Sequence, residues 1–107
     1  MKVELIKKDA TINFFDCVPQ VKEIMLDAFE LIYTHENVIE GDPDDFEVYY
    51  SSDEPTNTYG GAFIVSIYGS YLLHDLRVED VVCDEETQLE CTIAIYSLSK
   101  ISDDANN

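Results

Sequence analysis

Between residues 18 and 36 the apolar positions recur at spacings of three and four. Val21, Ile24, Met25, Ala28, Leu31 and Ile32 form one face, and Leu26, Phe29 and Tyr33 form a second row beside it. The spacing predicts a long helix over 18–36 that is covered on most sides. Its polar remainder is a narrow line of Gln20, Glu23, Asp27, Glu30 and Thr34. Asp16 and Pro19 lead into it and put an acid near the positive end of the helix dipole, with Phe14 or Phe15 placed to staple the start. Asn37 tolerates a left-handed cap and Gly41-Asp42-Pro43 cannot continue a helix, so the stop is expected at 35–37.

Period two governs most of the remaining chain. Residues 1–8 alternate and predict a short strand, followed by a polar, turn-like stretch over 9–13. Residues 44–51 put Phe46, Val48 and Tyr50 on one face and Asp45, Glu47 and Tyr49 on the other, a strand with an acidic outer side. Residues 52–61 have the composition of a surface loop, and the nearly continuous apolar run 62–68 predicts a central strand. Gly69-Ser70 is spaced as a tight hairpin turn.

From Leu72 onward Leu72, His74, Leu76, Val78 and Val82 oppose Asp75, Arg77 and Glu79, predicting a strand to about Cys83, with a helical turn over 78–82 as the alternative. An acidic tip at 84–88 then leads into a strand over 89–98 with Leu89, Cys91, Ile93 and Ile95 on its covered face, and 102–107 read as a frayed end. One helix followed by strands on short turns gives an α+β fold. The expectation is one long helix packed on a curved antiparallel β-meander of about four to five strands, in a single domain covering 1–107. The second apolar row of the helix needs cover from a loop, from curling strands or from a second copy, so a homodimer stays open.

Charge changes this picture most. With 23 acidic and 6 basic residues the formal net charge is -17, beyond the magnitude of about 2–8 that solubility asks of a small domain. Such a field destabilises the compact chain by self-repulsion, repels nucleic acid and anionic membranes, and attracts a basic partner. No apolar run approaches the roughly 20 residues of a membrane span. Three cysteines in a chain without a signal peptide fit a reducing cytoplasm, with pairing of Cys83 and Cys91 across a hairpin left open.

Candidate chemistry is thin. His35 sits where a histidine caps a helix, His74 lies on the apolar side of a strand, and the cysteines have no basic neighbour in sequence. Carboxylate pairs are so abundant that no single pair is informative. Gly41-Asp42-Pro43-Asp44-Asp45 with Glu47 has the residue types of a cation site but not the ligand series of a calcium loop. No GxGxxG, P-loop, CxxC or HExxH occurs. No catalytic residue, metal or cofactor is expected.

The acidity itself points to function. Carboxylates on alternate strand residues stand about 6.5–7 Å apart, and Glu23, Asp27 and Glu30 are separated along a helix axis by about 6.0 and 4.5 Å. Such rows suit a groove built for a phosphate chain, whose rise is about 3.4 Å per nucleotide. The expected function is an acidic inhibitor that binds and neutralises a basic nucleic-acid-processing protein, most simply the immunity protein of a nuclease toxin. The alternative is a DNA-mimicking inhibitor from a phage or mobile element, aimed at a restriction or CRISPR enzyme. A third reading, a small enzyme or cation-binding domain, predicts a pocket at His35 or His74. The candidate partner-binding residues are Glu23, Asp27 and Glu30 on the helix, and Asp45, Glu47 and Tyr49 on the following strand. Asp53, Glu54 and Tyr59 in the loop and Asp84, Glu85 and Glu86 at the tip complete the set, with tyrosines as anchors.

Overall fold

The first strand runs past the polar stretch that suggested a turn. In the computed structural model, which describes residues 2–50 and 61–103, β1 spans Lys2–Phe14. It is followed by the helix α1 (Val21–His35), a 3-10 turn at Pro43–Asp45, and strands β2 (Glu47–Tyr50), β3 (Ala62–Ser66), β4 (Gly69–Asp84) and β5 (Leu89–Ser102). The strands form one sheet in the order β1-β5-β4-β3-β2, every neighbouring pair antiparallel. The fold is therefore α+β and mostly strand. Only β2 to β5 form a meander, while β1 lies along the other side of β5.

Asp9 stays inside β1 because it serves as the extra residue of a bulge. Its φ is 54°, and the pairing steps from Lys7 opposite Leu98 to Ala10 opposite Tyr96. A short polar side chain tolerates this left-handed backbone better than most. β4 repeats the device at Asp75, with φ 56° and a step from His74 opposite Ser97 to Arg77 opposite Ile95. The two bulges thus flank β5 near Ser97, whose hydroxyl accepts a hydrogen bond from the Asp9 N–H at 3.2 Å.

These bulges decide which side chains meet the helix. Tyr71 and Leu73 lie in the core, and beyond the bulge Leu76 packs against it, so the even positions change faces within β4. The strand is continuous through 78–82 rather than helical. On β5 the helix-facing residues are Ala94, Tyr96 and Leu98, so Cys91, Ile93 and Ile95 lie on the opposite face, where Cys91 and Ile95 are nonetheless buried as the sequence suggests and Leu89 is exposed. Both rows of β5 are apolar, and alternation alone cannot choose between them. The hairpin turn also falls earlier than expected, at Ile67-Tyr68, and Gly69 follows it in the strand at φ 135°, paired with Ser66.

The helix begins after Pro19 and Gln20, inside the expected bounds, and buries Ile24, Met25, Ala28, Phe29 and Ile32 against the sheet. It ends as the sequence expects. Asn37 takes φ 60°, and the N–H groups of Asn37 and Val38 bond to the carbonyls of Thr34 and Tyr33, a Schellman closure. The segment after it covers Phe29 and Tyr33 of the second apolar row, while Leu26 stays exposed. Phe46 stacks on Phe29 at 4.8 Å between ring centroids and meets Tyr33 edge-on at 5.4 Å. Phe14 is buried, whereas Phe15 is exposed.

Candidate functional site

Two fully buried tyrosines join the sheet to the helix through carboxylates. Tyr96 donates to Asp27 at 2.6 Å, and Tyr71 donates to Glu36 at 2.6 Å, where Lys100 also donates to the same oxygen. Burial first, and then the hydrogen bond to the carboxylate, raises the pKa of both phenols well above the usual tyrosine value. For Glu36 burial acts upward, but the bonds from Lys100 and Tyr71 outweigh it and the net direction is downward. Asp27 is thus half-buried and committed to the fold, while Glu23 and Glu30 stand exposed on either side of it. The acidic line of the helix is broken in its middle.

Carboxylates gather instead toward the two ends of a molecule 56 Å long. One group follows the helix: Glu36, Glu40, Asp42, Asp44, Asp45 and Glu47, with no lysine or arginine among residues 36–47. Glu36 anchors it at the end of the sheet where β4 begins. The other group occupies the β4–β5 hairpin, with Glu79, Asp80, Asp84, Glu85, Glu86 and Glu90 and again no basic residue from 78 to 99. β4 extends over 16 residues, about 50 Å at 3.3 Å per residue, and this separates the groups. Arg77 is engaged by Asp9 at 3.3 Å and Glu79 at 3.5 Å, and Lys100 by Glu36; the first end also carries Lys2 and Lys7 of β1, opposite Ser102 and Leu98, so the hairpin end is the more one-sided of the two.

The sheet face away from α1 is different in kind. Strand register aligns Tyr49, Phe63, Leu72, Ser99 and Leu5 in one row across all five strands. The adjacent row is Glu47, Val65, Ser70, Ile101 and Val3. Tyr49, Leu5 and Val3 are 55, 54 and 55 % exposed, and Phe63 is 36 % exposed. The outer face of an open sheet is normally polar; this one is an apolar band with Glu47 at its edge, where the Glu47 carboxylate accepts the Tyr49 hydroxyl at 2.6 Å.

Beside the band the two bulges frame an open hollow of about 670 Å³, lined by Leu5, Lys8, Asp9, His74, Asp75, Leu76, Arg77 and Ser97. His74 places Nδ1 2.9 Å from an Asp75 carboxylate oxygen and Nε2 2.9 Å from the Ser99 hydroxyl. That is the acid, imidazole and hydroxyl order of a nucleophilic serine. Ser99, however, is 3 % exposed and is not among the residues lining the hollow. A substrate carbonyl has no path to its oxygen in this arrangement, and the imidazole supplies the partner that a buried hydroxyl requires. His35 lies 3.4 Å from Glu4 at the end of α1.

Cys83 and Cys91 are free thiols on facing strands; a hydrogen bond between them, with burial adding to it, raises the Cys91 thiol pKa. Asp42 accepts the Asp44 N–H at 3.0 Å as the cap of the 3-10 turn. Among the described residues no group of three or more His, Cys, Asp or Glu is placed to hold a metal ion, and no helix is long and apolar enough to cross a membrane.

The sequence-predicted residues therefore divide. Asp45, Glu47 and Tyr49 lie at one end, Asp84, Glu85 and Glu86 at the other, and Glu23 and Glu30 on the helix between. Asp53, Glu54 and Tyr59 lie outside the described residues. Sequence reasoning missed Glu40, Asp42 and Asp44 at the first end and Glu79, Asp80 and Glu90 at the second. The signal was present: no lysine or arginine occurs between Lys22 and Arg77, nor between Arg77 and Lys100. It also missed Phe63, Leu72, Leu5 and Val3. A strand as continuously apolar as 62–66, with one α-helix among the described residues to cover one face, leaves its other apolar side uncovered by that helix. Comparison with known proteins finds no family model, no curated protein and no solved structure that matches this chain.

Proposed function

We propose that this chain is an acidic inhibitor that binds and neutralises a basic nucleic-acid-processing protein, most simply as the immunity protein of a cytoplasmic nuclease toxin. The observation that carries the reading is the unbalanced charge of the chain, 23 acidic against 6 basic residues, with no lysine or arginine in the sequence from 23 to 76 or from 78 to 99. The field of a body carrying -17 steers an oppositely charged partner during approach. The exposed Tyr49 beside Glu47 supplies the aromatic contact that interfaces concentrate at their centre.

Co-expression tests this directly. The chain should protect cells from the basic nuclease encoded next to it and should inhibit that nuclease at a one-to-one ratio, with association slowed by added salt. A basic, nucleic-acid-processing neighbour whose activity is untouched by a stoichiometric amount of the chain overturns the reading.

One observation favours the second reading, a DNA-mimicking inhibitor: the acids are spread toward both ends rather than gathered in one patch. A mimic competes with duplex DNA for its target and is displaced by it. An immunity protein that remains bound in excess duplex DNA excludes that reading.

A further inference from the structure

We infer that Cys83 and Cys91 are a redox site, where hydrogen peroxide converts the two thiols to a cross-strand disulfide that latches the acidic end of the β4–β5 hairpin. The inference stands apart from the basic-partner reading. On a regular antiparallel ladder, diagonal neighbours on one face are about 7–8 Å apart, the far limit for a disulfide. The ladder is irregular at this site. Cys91 pairs with Val81, the pairing then steps from Val82 opposite Glu90 to Asp84 opposite Leu89, and Cys83 is the residue left over. Its side chain turns onto β5, where the thiol donates to the Leu89 carbonyl at 3.3 Å and shares a hydrogen bond with the Cys91 thiol. The two sulfurs are in contact, and both are free.

The two thiols differ in access. Cys83 is exposed and Cys91 is 4 % exposed, so an oxidant reaches Cys83 first. Hydrogen peroxide transfers one oxygen to the Cys83 sulfur, giving the sulfenic acid and water. The Cys91 sulfur then attacks the Cys83 sulfur, the S–O bond breaks, and the departing hydroxide leaves as water with the Cys91 proton. Two electrons have passed from the sulfurs to the peroxide, and a thiol reductant reverses the bond by exchange. Its position gives the bond an effect. Beyond Arg77 the hairpin carries Glu79, Asp80, Asp84, Glu85, Glu86 and Glu90, with no lysine or arginine from 78 to 99, and like charges press its strands apart. A bond from 83 to 91 closes the loop around residues 84–90 and holds the strands against that repulsion.

The test uses the full chain carrying C17S, which leaves only this pair of thiols. Reduced protein is treated with a small molar excess of hydrogen peroxide, quenched with N-ethylmaleimide and weighed by intact mass spectrometry. It should become a single chain lighter by two hydrogens that takes up no maleimide, and dithiothreitol should restore both thiols. A glutamate-specific protease, which cuts after Glu85, Glu86 and Glu90, should release the Cys83 and Cys91 peptides joined. Amide hydrogen exchange over 84–90 should slow at least about 10-fold in the oxidised chain, and with C83S added peroxide should leave that exchange unchanged. Both thiols still taking up maleimide, higher oxides of Cys83 without a joined peptide, or a covalent dimer would overturn the pair as a redox site. A joined pair with unchanged exchange over 84–90 would overturn the latch.

Discussion

Tyr96 reaches from the middle of the sheet to donate a 2.6 Å hydrogen bond to Asp27 of the helix, so one carboxylate of the acidic line belongs to the core rather than to the surface. Replacing Tyr96 by Phe removes a bond to a charged acceptor and leaves Asp27 half-buried without it. Unfolding by urea should show a loss of about 1.5–3 kcal/mol. Reversal of Glu23 and Glu30 to lysine should leave stability near wild type, whereas adding D27K should lower it sharply. Equal stability of the double and triple variants would contradict the structural role of Asp27.

The same phenols set an alkaline limit. The folded-state pKa values of Tyr71 and Tyr96 are raised by burial and by their carboxylate partners. Their contribution is therefore complete below the unfolded value of about 10 and is lost as pH rises beyond it. Absorbance at 295 nm should show these two ionising together with unfolding and not before it.

Glu36 sets an acid limit of the opposite sign. Its pKa in the fold is lowered, net of burial, by Lys100 and Tyr71, so its stabilisation is present above the unfolded value of 4.5 and disappears as pH falls through the folded value. In E36Q the stability profile below pH 4.5 should be flatter than in the wild type, measured by urea midpoints across that window.

Tyr33 and Gly41 form a tight pair with two separable outcomes. A Cβ on Gly41 would stand 2.1 Å from the Tyr33 ring, so G41A must displace a ring packed on Phe46 and should cost about 1–3 kcal/mol. The Tyr33 hydroxyl is buried with no hydrogen-bond partner among the described residues, so Y33F should hold stability or raise it by about 1 kcal/mol. Thermal denaturation of the two single variants reads both signs.

Salt should raise the stability of the free chain. Screening weakens the self-repulsion of a body carrying -17, so the urea midpoint should climb as sodium chloride is added at neutral pH. A midpoint that fell or stayed level would show that the acidic ends do not strain the fold.

What the sequence disclosed was local. The helix and its stop could be read because Ile24, Ala28 and Ile32 recur within a few turns and Asn37 marks its own conformation. Val48 and Tyr49 could be assigned to faces because β2 alternates without interruption. The faces of β4 and β5 could not. Asp9 and Asp75 each shift the alternation by one residue, and nothing in a single aspartate within an alternating run distinguishes a bulge from a turn. The candidate site was legible as residue types, yet its division into two ends and an apolar face follows from long-range pairing such as Leu72 with Ser99.

The facing bulges at Asp9 and Asp75 have one more consequence. An uninterrupted pair of strands can slide past one another in steps that preserve most of its pairing, and an open sheet edge can recruit a foreign strand. Here a slip of β5 against either neighbour would move Ser97 away from the Asp9 amide and out of step with the kinks on both sides at once. The bulges therefore act as a key cut on two sides. They admit one alignment of β5 and, by bending β1 along its free edge, make that edge a poor template for another chain.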